Sequence, residues 1–371
     1  MSTREVHVIG MGSYLPGDKI PFHEIERLIG RITDAPPRIQ RSIDKMGPLL
    51  SQILGIEYAH YAIDPDTLEP TETSISMAVK ACRKAMSVAN IGPADVDLLI
   101  YAGTWFDRFV CPPSSVLLQE ALGIPRCAEL TIQSNCTAAF KALQVAADLL
   151  TVGRYRNALV AVSQLSSTGF RADRFNQKQI TKDQAAMRWF LSDGASAVIL
   201  CNMEADNKVL RIIDTYLESP ALGVAPGMEM LMGACSADPR QCFDNGWHHL
   251  GHDLEAVVRI GPAIGGESFR RMIEKTHLEI NKVKQVVYSF PAKAIRQVAT
   301  QMLRDVLNSP TLEVYSEVQE VGFTGPPGVL IGLERCLQKT NPAANDWIVC
   351  FGTESSKWMS GGCIFEYCLQ T

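Results

Sequence analysis

The sequence has no basic cluster, no cysteine pair at CxxC spacing and no apolar run of transmembrane length. The net charge of −5 argues against a surface that binds nucleic acid. The eleven cysteines are an odd number without Cys/His ligand spacing, which indicates reduced thiols and no disulfide framework. The N-terminus begins with a strand-like segment and not with a signal peptide, so we expect a cytoplasmic protein that binds neither nucleic acid nor a membrane.

Three neighbouring histidines are the only hint of a metal site. His248, His249 and His252 lie in a loop that is rich in Gly, Asp and Asn. No acidic or cysteine partner stands at ligand spacing from them. We therefore interpret this stretch as a solvated or lid loop, and we predict no bound metal ion.

The length and composition are those of a globular protein with two domains, or with two halves of one fold. The chain has 371 residues, of which 46% are hydrophobic and 20% are charged. Residues 71–103 and 255–289 both show a helical pattern followed by a short apolar strand. Two series in matching order suggest an internal duplication, with mostly parallel sheets. We predict an α/β fold with halves at residues 1–205 and 206–371.

Residues 128–150 form the most informative segment, because an apolar strand is followed by a polar turn and then by a largely apolar helix. Cys136 stands at the turn, where Ser134 and Asn135 are suited to cap the helix. Unpaired N–H groups and the positive end of the helix dipole favour a thiolate there, so Cys136 is a candidate nucleophile. A buried structural cysteine is the alternative, and the local evidence alone favours it.

Six short motifs, each weak by itself, occur in a specific order. They are residues 9–16, the helix and strand of residues 71–103, the turn at residues 135–139 that holds Cys136, the turns at residues 192–196 and 322–325, and the pair Phe351-Gly352. This order resembles the thiolase-fold condensing enzymes of the β-ketoacyl-acyl carrier protein synthase III branch, over nearly the whole chain. The resemblance implies two duplicated α/β halves packed as a five-layered α-β-α-β-α sandwich. It also implies a homodimer, or a heteromer with a subunit of the same fold.

The resemblance implies a reaction at Cys136. The cysteine would take an acyl group from CoA or acyl carrier protein as a thioester, without a permanently bound cofactor. The Cys136 N–H is implied as one oxyanion donor, and the turn after Phe351-Gly352 as the source of another. A thiolate nucleophile and backbone N–H donors suit such acyl transfer.

The two residues that the family uses for decarboxylative condensation are missing. The family histidine belongs just after residues 285–288, where Ser289 and Phe290 stand, and no histidine follows His277. The family asparagine belongs at Phe323. Because phenylalanine neither donates nor accepts a proton, we do not expect condensation with a malonyl thioester.

The last glycine loop of the family is replaced by the polar residues 353–358. Glu354 is a candidate substitute base, because a partly desolvated carboxylate would have a raised pKa, and Ser355 is a candidate hydrogen-bond donor. A solvent-facing Glu354, or one in a subunit contact, is the slightly favoured alternative. Ser289 and Lys293 are weaker candidates, and Lys293 also suits the start of the next helix.

Three functions follow from these residues. The first is an acyltransferase that passes an acyl group from Cys136 to a small-molecule, non-malonyl acceptor in secondary-metabolite or fatty-acid-derived biosynthesis. The second is a catalytically degenerate subunit that supports a partner of the same fold. The third is a non-decarboxylative condensing enzyme with Glu354 as base. We expect residues 164–188, interpreted as a flap, and residues 227–235 to shape the pocket.

Overall fold

The strands form the centre of the molecule. The computed structural model describes residues 4–203, 209–236, 238–289 and 292–368. The predicted boundary between residues 205 and 206 lies outside the described residues. The strands are β1 (His7–Tyr14), β2 (Ile20–Pro21), β3 (Tyr58–Ala59), β4 (Leu98–Gly103), β5 (Ala128–Gln133), β6 (Asn157–Gln164), β7 (Gly194–Cys201), β8 (Leu210–Glu218), β9 (Met228–Glu229), β10 (Gly251–His252), β11 (Val283–Tyr288), β12 (Glu313–Tyr315), β13 (Trp347–Glu354) and β14 (Met359–Tyr367).

Ten strands form one sheet in the order β12-β11-β13-β14-β8-β1-β7-β6-β4-β5. Strands β1 and β8 pair only at His7 and Val8, so this short contact joins two groups of five strands. If the five strands of each group are numbered by their order along the chain, they lie side by side in the order third, second, fourth, fifth, first. Both groups have this arrangement, which is the repeat that the two matching series indicate. Each group has two parallel and two antiparallel pairings. The prediction of mostly parallel sheets is therefore wrong.

The helices lie on both sides of the two strand groups and between them. No helix in the described part of the chain has the length and apolarity needed to span a membrane. The helices are α1 (Ile25–Ile29), α2 (Pro37–Ile43), α3 (Met46–Leu54), α4 (Ser74–Ala89), α5 (Ser114–Leu122), α6 (Ala138–Thr151), α7 (Lys182–Met187), α8 (Pro239–Asp244), α9 (Leu254–Thr276), α10 (Lys293–Val306), α11 (Val318–Val321) and α12 (Gly328–Thr340).

Helices α6 and α12 form the middle layer. Helix α6 packs on β4 and β6 from the first group and on β8 and β14 from the second, and α12 likewise contacts strands of both groups. Helix α4 covers the outer face of the first group, with α5 beside it, while α9, which packs against α10, covers the second. The five-layered α-β-α-β-α arrangement is thus confirmed. Because α6 lies between two sheets, its Ala138, Phe140 and Leu143 are buried, which explains the scarcity of polar residues in this helix.

Two glycines let α6 lie close to β13 and β14. A Cβ atom on Gly361 would lie 2.7 Å from the Cβ of Phe140, and one on Gly352 would lie 3.0 Å from the ring of Phe140. Side chains at these two positions would push the helix away from the strands. The close approach brings the start of α6, and with it Cys136, next to the end of β13.

The segment predicted to be a flap is packed into the core. It contains α7 and several turns of 3-10 helix, and its apolar side chains join those of α1, α2 and α3. Arg188 follows α7 and is fully buried. Its guanidinium donates hydrogen bonds to the carbonyl oxygens of Phe170 (2.9 Å) and Ile29 (3.0 Å), and burial lowers its pKa to about 10. Arg188 therefore ties this segment to the end of α1.

Candidate active site

Cys136 lies in the turn between β5 and α6 and lines a large cavity. The cavity has an empty volume of about 910 Å³, including the part that opens to solvent. Both strand groups and the chain before α9 contribute to its wall. Apolar lining residues include Trp105, Phe190, Leu250, Val257, Ile295, Met302, Phe323 and Trp358, and polar ones include Asn135, Gln164, His252, Tyr288, Ser289, Thr353 and Ser355.

Glu354 caps the start of α6 from the end of β13. Its Oε2 accepts hydrogen bonds from the backbone N–H of Asn135 (3.1 Å) and of Thr137 (3.0 Å). The hydroxyl groups of Ser134 (2.9 Å) and Thr137 (2.6 Å) donate to the same oxygen. The carboxylate therefore performs the capping that was predicted for Ser134 and Asn135. It binds the residues on both sides of Cys136.

This position corrects the interpretation of Glu354. The side chain is only 1% exposed and contacts its own chain, so the solvent-facing alternative is wrong. Its second oxygen, Oε1, accepts from the hydroxyl of Ser356 and the side-chain amide of Asn135. Glu354 is also not among the described residues that line the cavity. The structure therefore assigns Glu354 to the helix cap, and its placement does not favour the predicted role as a base.

The thiol of Cys136 is not activated by its surroundings. Burial and then the charge of Glu354 raise the pKa of Cys136 to about 12, against a weaker lowering by its own backbone N–H. The prediction of a favoured thiolate is wrong, because Glu354 already occupies the amide groups on both sides of the cysteine. The thiol is therefore protonated at pH 7.

Ser289 and Phe323, at the places of the missing pair, both line the cavity with Cys136. Phe323 is buried, and its ring packs edge-on against that of Phe190 with 5.3 Å between the centroids. The ring therefore contributes apolar surface where the family has a carboxamide. Ser289 has a hydroxyl group, which can donate a hydrogen bond but is a poor base near neutral pH.

The chain after β11 adds little else to the chemistry of the site. Phe290 and Pro291 lie outside the described residues. Lys293 is the first residue of α10, in agreement with the alternative that it begins a helix. It is not among the described residues that line the cavity, whereas Ile295 and Ala299 of the same helix are. This stretch therefore provides mainly apolar wall.

The expected turn after Phe351-Gly352 begins later in the chain. Strand β13 continues through Thr353, which pairs with Ser360, and ends at Glu354. The hairpin turn starts at Ser355. Thr353 and Ser355 line the cavity, so the polar residues of this hairpin reach the site although its turn is displaced.

Sequence reasoning missed His252. The sequence predicts a solvated or lid loop here, yet His252 is 6% exposed and lines the same cavity as Cys136. Its Nε2 lies 3.1 Å from the Oγ of Ser355, and its ring packs against Phe190 with 5.1 Å between the centroids. Burial lowers the pKa of His252 to about 4, so the ring is neutral at pH 7. One sequence feature could have indicated that His252 has a fixed position. It directly precedes Asp253, the N-cap residue of α9.

The other histidines of this stretch are also packed. His249 is 3% exposed and its Nε2 accepts a hydrogen bond from the backbone N–H of Asn176 (3.0 Å). The Nε2 of His248 lies 2.9 Å from the carbonyl oxygen of Arg174. Among the described residues no group of three His, Cys, Asp or Glu side chains could hold a metal ion. The predicted solvated loop is thus a packed wall beside the cavity.

Comparison with known proteins agrees with this architecture. Residues 130–220, which include Cys136, match the family model of 3-oxoacyl-[acyl-carrier-protein (ACP)] synthase III. The β-ketoacyl-[acyl-carrier-protein] synthase III of Clostridium perfringens is 22% identical over 351 residues, which are 94% of this chain and 95% of that protein.

Solved structures of similar proteins superpose over nearly the whole chain. AbyA1, a tetronic acid condensing enzyme, has a TM-score of 0.79 at 22% identity, and the match covers 97% of this chain and 99% of AbyA1. A single-residue variant of Xanthomonas campestris OleA has a TM-score of 0.78 at 18% identity, with coverage of 99% and 100%. The synthase III of Aquifex aeolicus has a TM-score of 0.74 at 20% identity, with coverage of 98% and 100%. At these identities the structures establish a shared fold.

Proposed function

The chain is a thiolase-fold protein of the β-ketoacyl-acyl carrier protein synthase III-like type, and on that premise we propose that it transfers acyl groups through Cys136. The donor is an acyl thioester of CoA or acyl carrier protein, and the acceptor is a small molecule other than a malonyl thioester. The observation that carries the proposal is the position of Cys136 on the wall of a large, mostly apolar cavity. Such a wall can bury an acyl chain, at about 0.8 kcal/mol for each CH₂ group.

The choice of acceptor follows from Phe323 and Ser289. A decarboxylating malonyl thioester develops negative charge on its carbonyl oxygen, which needs donors close by. Phe323 offers none, and its ring packs against Phe190 in that part of the wall. An acceptor that brings its own nucleophilic hydroxyl or amine does not need this pair. Biosynthesis of a secondary metabolite or a fatty-acid derivative is the setting that we propose for such a transfer.

Incubation with acyl-CoA donors of graded chain length is expected to give one acyl adduct per chain. Intact mass measures the adduct, and peptide mapping should locate it at Cys136. Cys136→Ala should remove it, whereas Cys235→Ala, which changes an exposed thiol, should keep it and so control for unspecific acylation. If neither CoA nor acyl carrier protein donors of any length acylate the wild type, the proposal is wrong.

Malonyl thioesters labelled in the free carboxyl group should release no labelled carbon dioxide above background. The physical reason is that Phe323 and Ser289 replace the donors that would stabilise the carbanion. An established β-ketoacyl synthase III run in parallel shows that the substrate is competent. Release of label that depends on Cys136 would contradict the assignment of a non-malonyl acceptor.

A degenerate subunit that supports a same-fold partner is the second candidate function. It is favoured by the raised pKa of Cys136 and by the loss of both donors. The cavity that reaches Cys136 favours the acyltransferase instead. Co-purification of an obligate same-fold partner from the native source, together with no adduct on this chain, would select the second function. A homodimer that forms the adduct would reject it.

The third function, a condensing enzyme with Glu354 as base, has less support from the geometry. The carboxylate accepts hydrogen bonds from the start of α6, and moving it toward a substrate would leave those donors unpaired. A proton acceptor for this site must therefore come from another residue.

A further inference from the structure

His252 has a buried imidazole that has no role in the acyl transfer as described so far. Its Nε2 lies 3.1 Å from the Oγ of Ser355, and the Nδ1 has no hydrogen-bond partner among the described residues. The ring packs against Phe190, which in turn packs against Phe323. One nitrogen is thus held by a hydroxyl group, and the ring forms part of the cavity wall.

A chain of contacts connects this imidazole to the turn of Cys136. Ser355 holds His252 and directly follows Glu354 in the chain. Glu354 accepts hydrogen bonds from Asn135 and Thr137, the residues on either side of Cys136. The hairpin end of β13 therefore fixes both the cysteine turn and the histidine, which gives them a defined relative position.

His252 also lines a second, more open cleft. This cleft has an empty volume of about 620 Å³, including space open to solvent, and shares His252 and Met228 with the cavity of Cys136. Its wall carries Asp183, Gln184 and Glu229 and is mostly polar, unlike the wall of the cavity. The cleft offers an acceptor with polar groups a binding surface that includes His252, which also lines the cavity of Cys136.

We propose that His252 is the proton-transfer group of this site, placed by Ser355, and that it replaces the histidine missing after β11. The inference rests on the proposed function, since it needs an acyl group on Cys136. His252 lies just before α9, whereas the family histidine lies just after the strand that corresponds to β11.

The proton balance is the same in loading and in transfer. In loading, the sulfur of Cys136 attacks the thioester carbonyl while its proton moves to the imidazole. The new carbon–sulfur bond forms, the bond to the donor sulfur breaks, and the imidazole returns the proton to the departing thiol. In transfer, the hydroxyl or amine of the acceptor gives its proton to the imidazole, which passes it to the sulfur of Cys136 as that bond breaks. At pH 7 the buried ring is neutral, so one of its two nitrogens carries the free electron pair that accepts the proton.

Transthiolation tests this role without knowledge of the natural acceptor. The probe is N-acetylcysteamine, which accepts the acyl group from the loaded enzyme, with an acyl-CoA that loads the wild type as donor. Quenched time courses give the rate of adduct formation and the rate of acyl release by mass. His252→Ala should lower both rates by about a hundredfold or more, which is the usual size of general acid–base catalysis. Added imidazole should restore part of the loss, because the alanine leaves room for it.

Further variants separate catalysis from packing. His252→Phe keeps a ring against Phe190 and should show the same loss without rescue by imidazole. Ser355→Ala should lower the rates by about tenfold, and Ser355→Thr, which keeps the hydroxyl, should restore most of that loss. His248→Gln, in the same stretch but outside the cavity, should react like the wild type.

The rates of the His252 variants support or overturn the role of His252 in proton transfer. Rates within about threefold of the wild type in both His252 variants would overturn it while leaving the acyltransferase intact. A loss in His252→Ala that imidazole does not restore, and that His252→Phe does not share, would assign a packing role and also overturn it. A wild type that forms no adduct would overturn the proposed function itself, and the inference with it.

Discussion

Replacement of Glu354 with alanine is expected to lower the free energy of unfolding by about 3 kcal/mol and to make Cys136 more reactive. The destabilisation arises because the backbone N–H groups of Asn135 and Thr137 lose a charged acceptor at a buried helix start. The gain in reactivity arises because the charge of Glu354 is the second cause, after burial, of the raised pKa of Cys136. Urea unfolding measures the first effect, and the rate of alkylation by iodoacetamide at Cys136 measures the second.

Glu354→Gln is the matched control for charge. It keeps the shape of the side chain and one acceptor oxygen, so it should cost less stability than the alanine variant. Because it removes the negative charge, it should still lower the pKa of Cys136 and shift the rise of the alkylation rate to lower pH. Alkylation rates equal to that of the wild type in both variants would show that burial alone holds the thiol protonated. An unchanged midpoint of unfolding in Glu354→Ala would contradict the capping role.

The architecture could be predicted because it is repeated in the sequence. Residues 71–103 and 255–289 display the same helix and strand succession, and the resemblance supplied the layering that this succession alone leaves open. The antiparallel strands were missed for a physical reason. A strand buried on both faces is a continuous apolar run whichever way its neighbours point, so residues 157–164 and 194–201 do not reveal their mutual direction.

The site could be predicted only in part. The position of Cys136 follows from a local strand, turn and helix, which a sequence shows directly. Its protonation does not, because Glu354 lies far along the chain and only the packing of β13 on α6 brings it to the turn. His252 was missed because its neighbours are small and polar, and its burial depends on contacts with Phe190 and Ser355 that no local pattern displays.

Mild acid is expected to destabilise the fold through His249 and His252. Burial lowers the pKa of each from 6.5 to about 4, with a further lowering of His249 by His248. At pH 7 both histidines are neutral in the folded chain and mostly neutral in the unfolded chain, so they contribute little pH dependence there. As the pH falls below 6.5, the unfolded chain takes up protons at these sites while the folded chain does not. The free energy of unfolding should therefore fall by about 2 kcal/mol per histidine at pH 5 and by about 3 kcal/mol at pH 4.

Chemical denaturation at pH 7, 6 and 5 measures this loss, and variants divide it between the two sites. His252→Phe and His249→Gln should each make the decrease between pH 7 and 5 smaller by about 2 kcal/mol, because each removes one group that gains a proton on unfolding. His60, whose pKa is also lowered by burial, contributes to the decrease that remains. A stability that stays constant down to pH 5, or a decrease in the double variant of His249 and His252 that is as large as in the wild type, would show that the two rings accept protons inside the folded chain. In that case the neutral imidazole required at His252 would no longer be secured by burial.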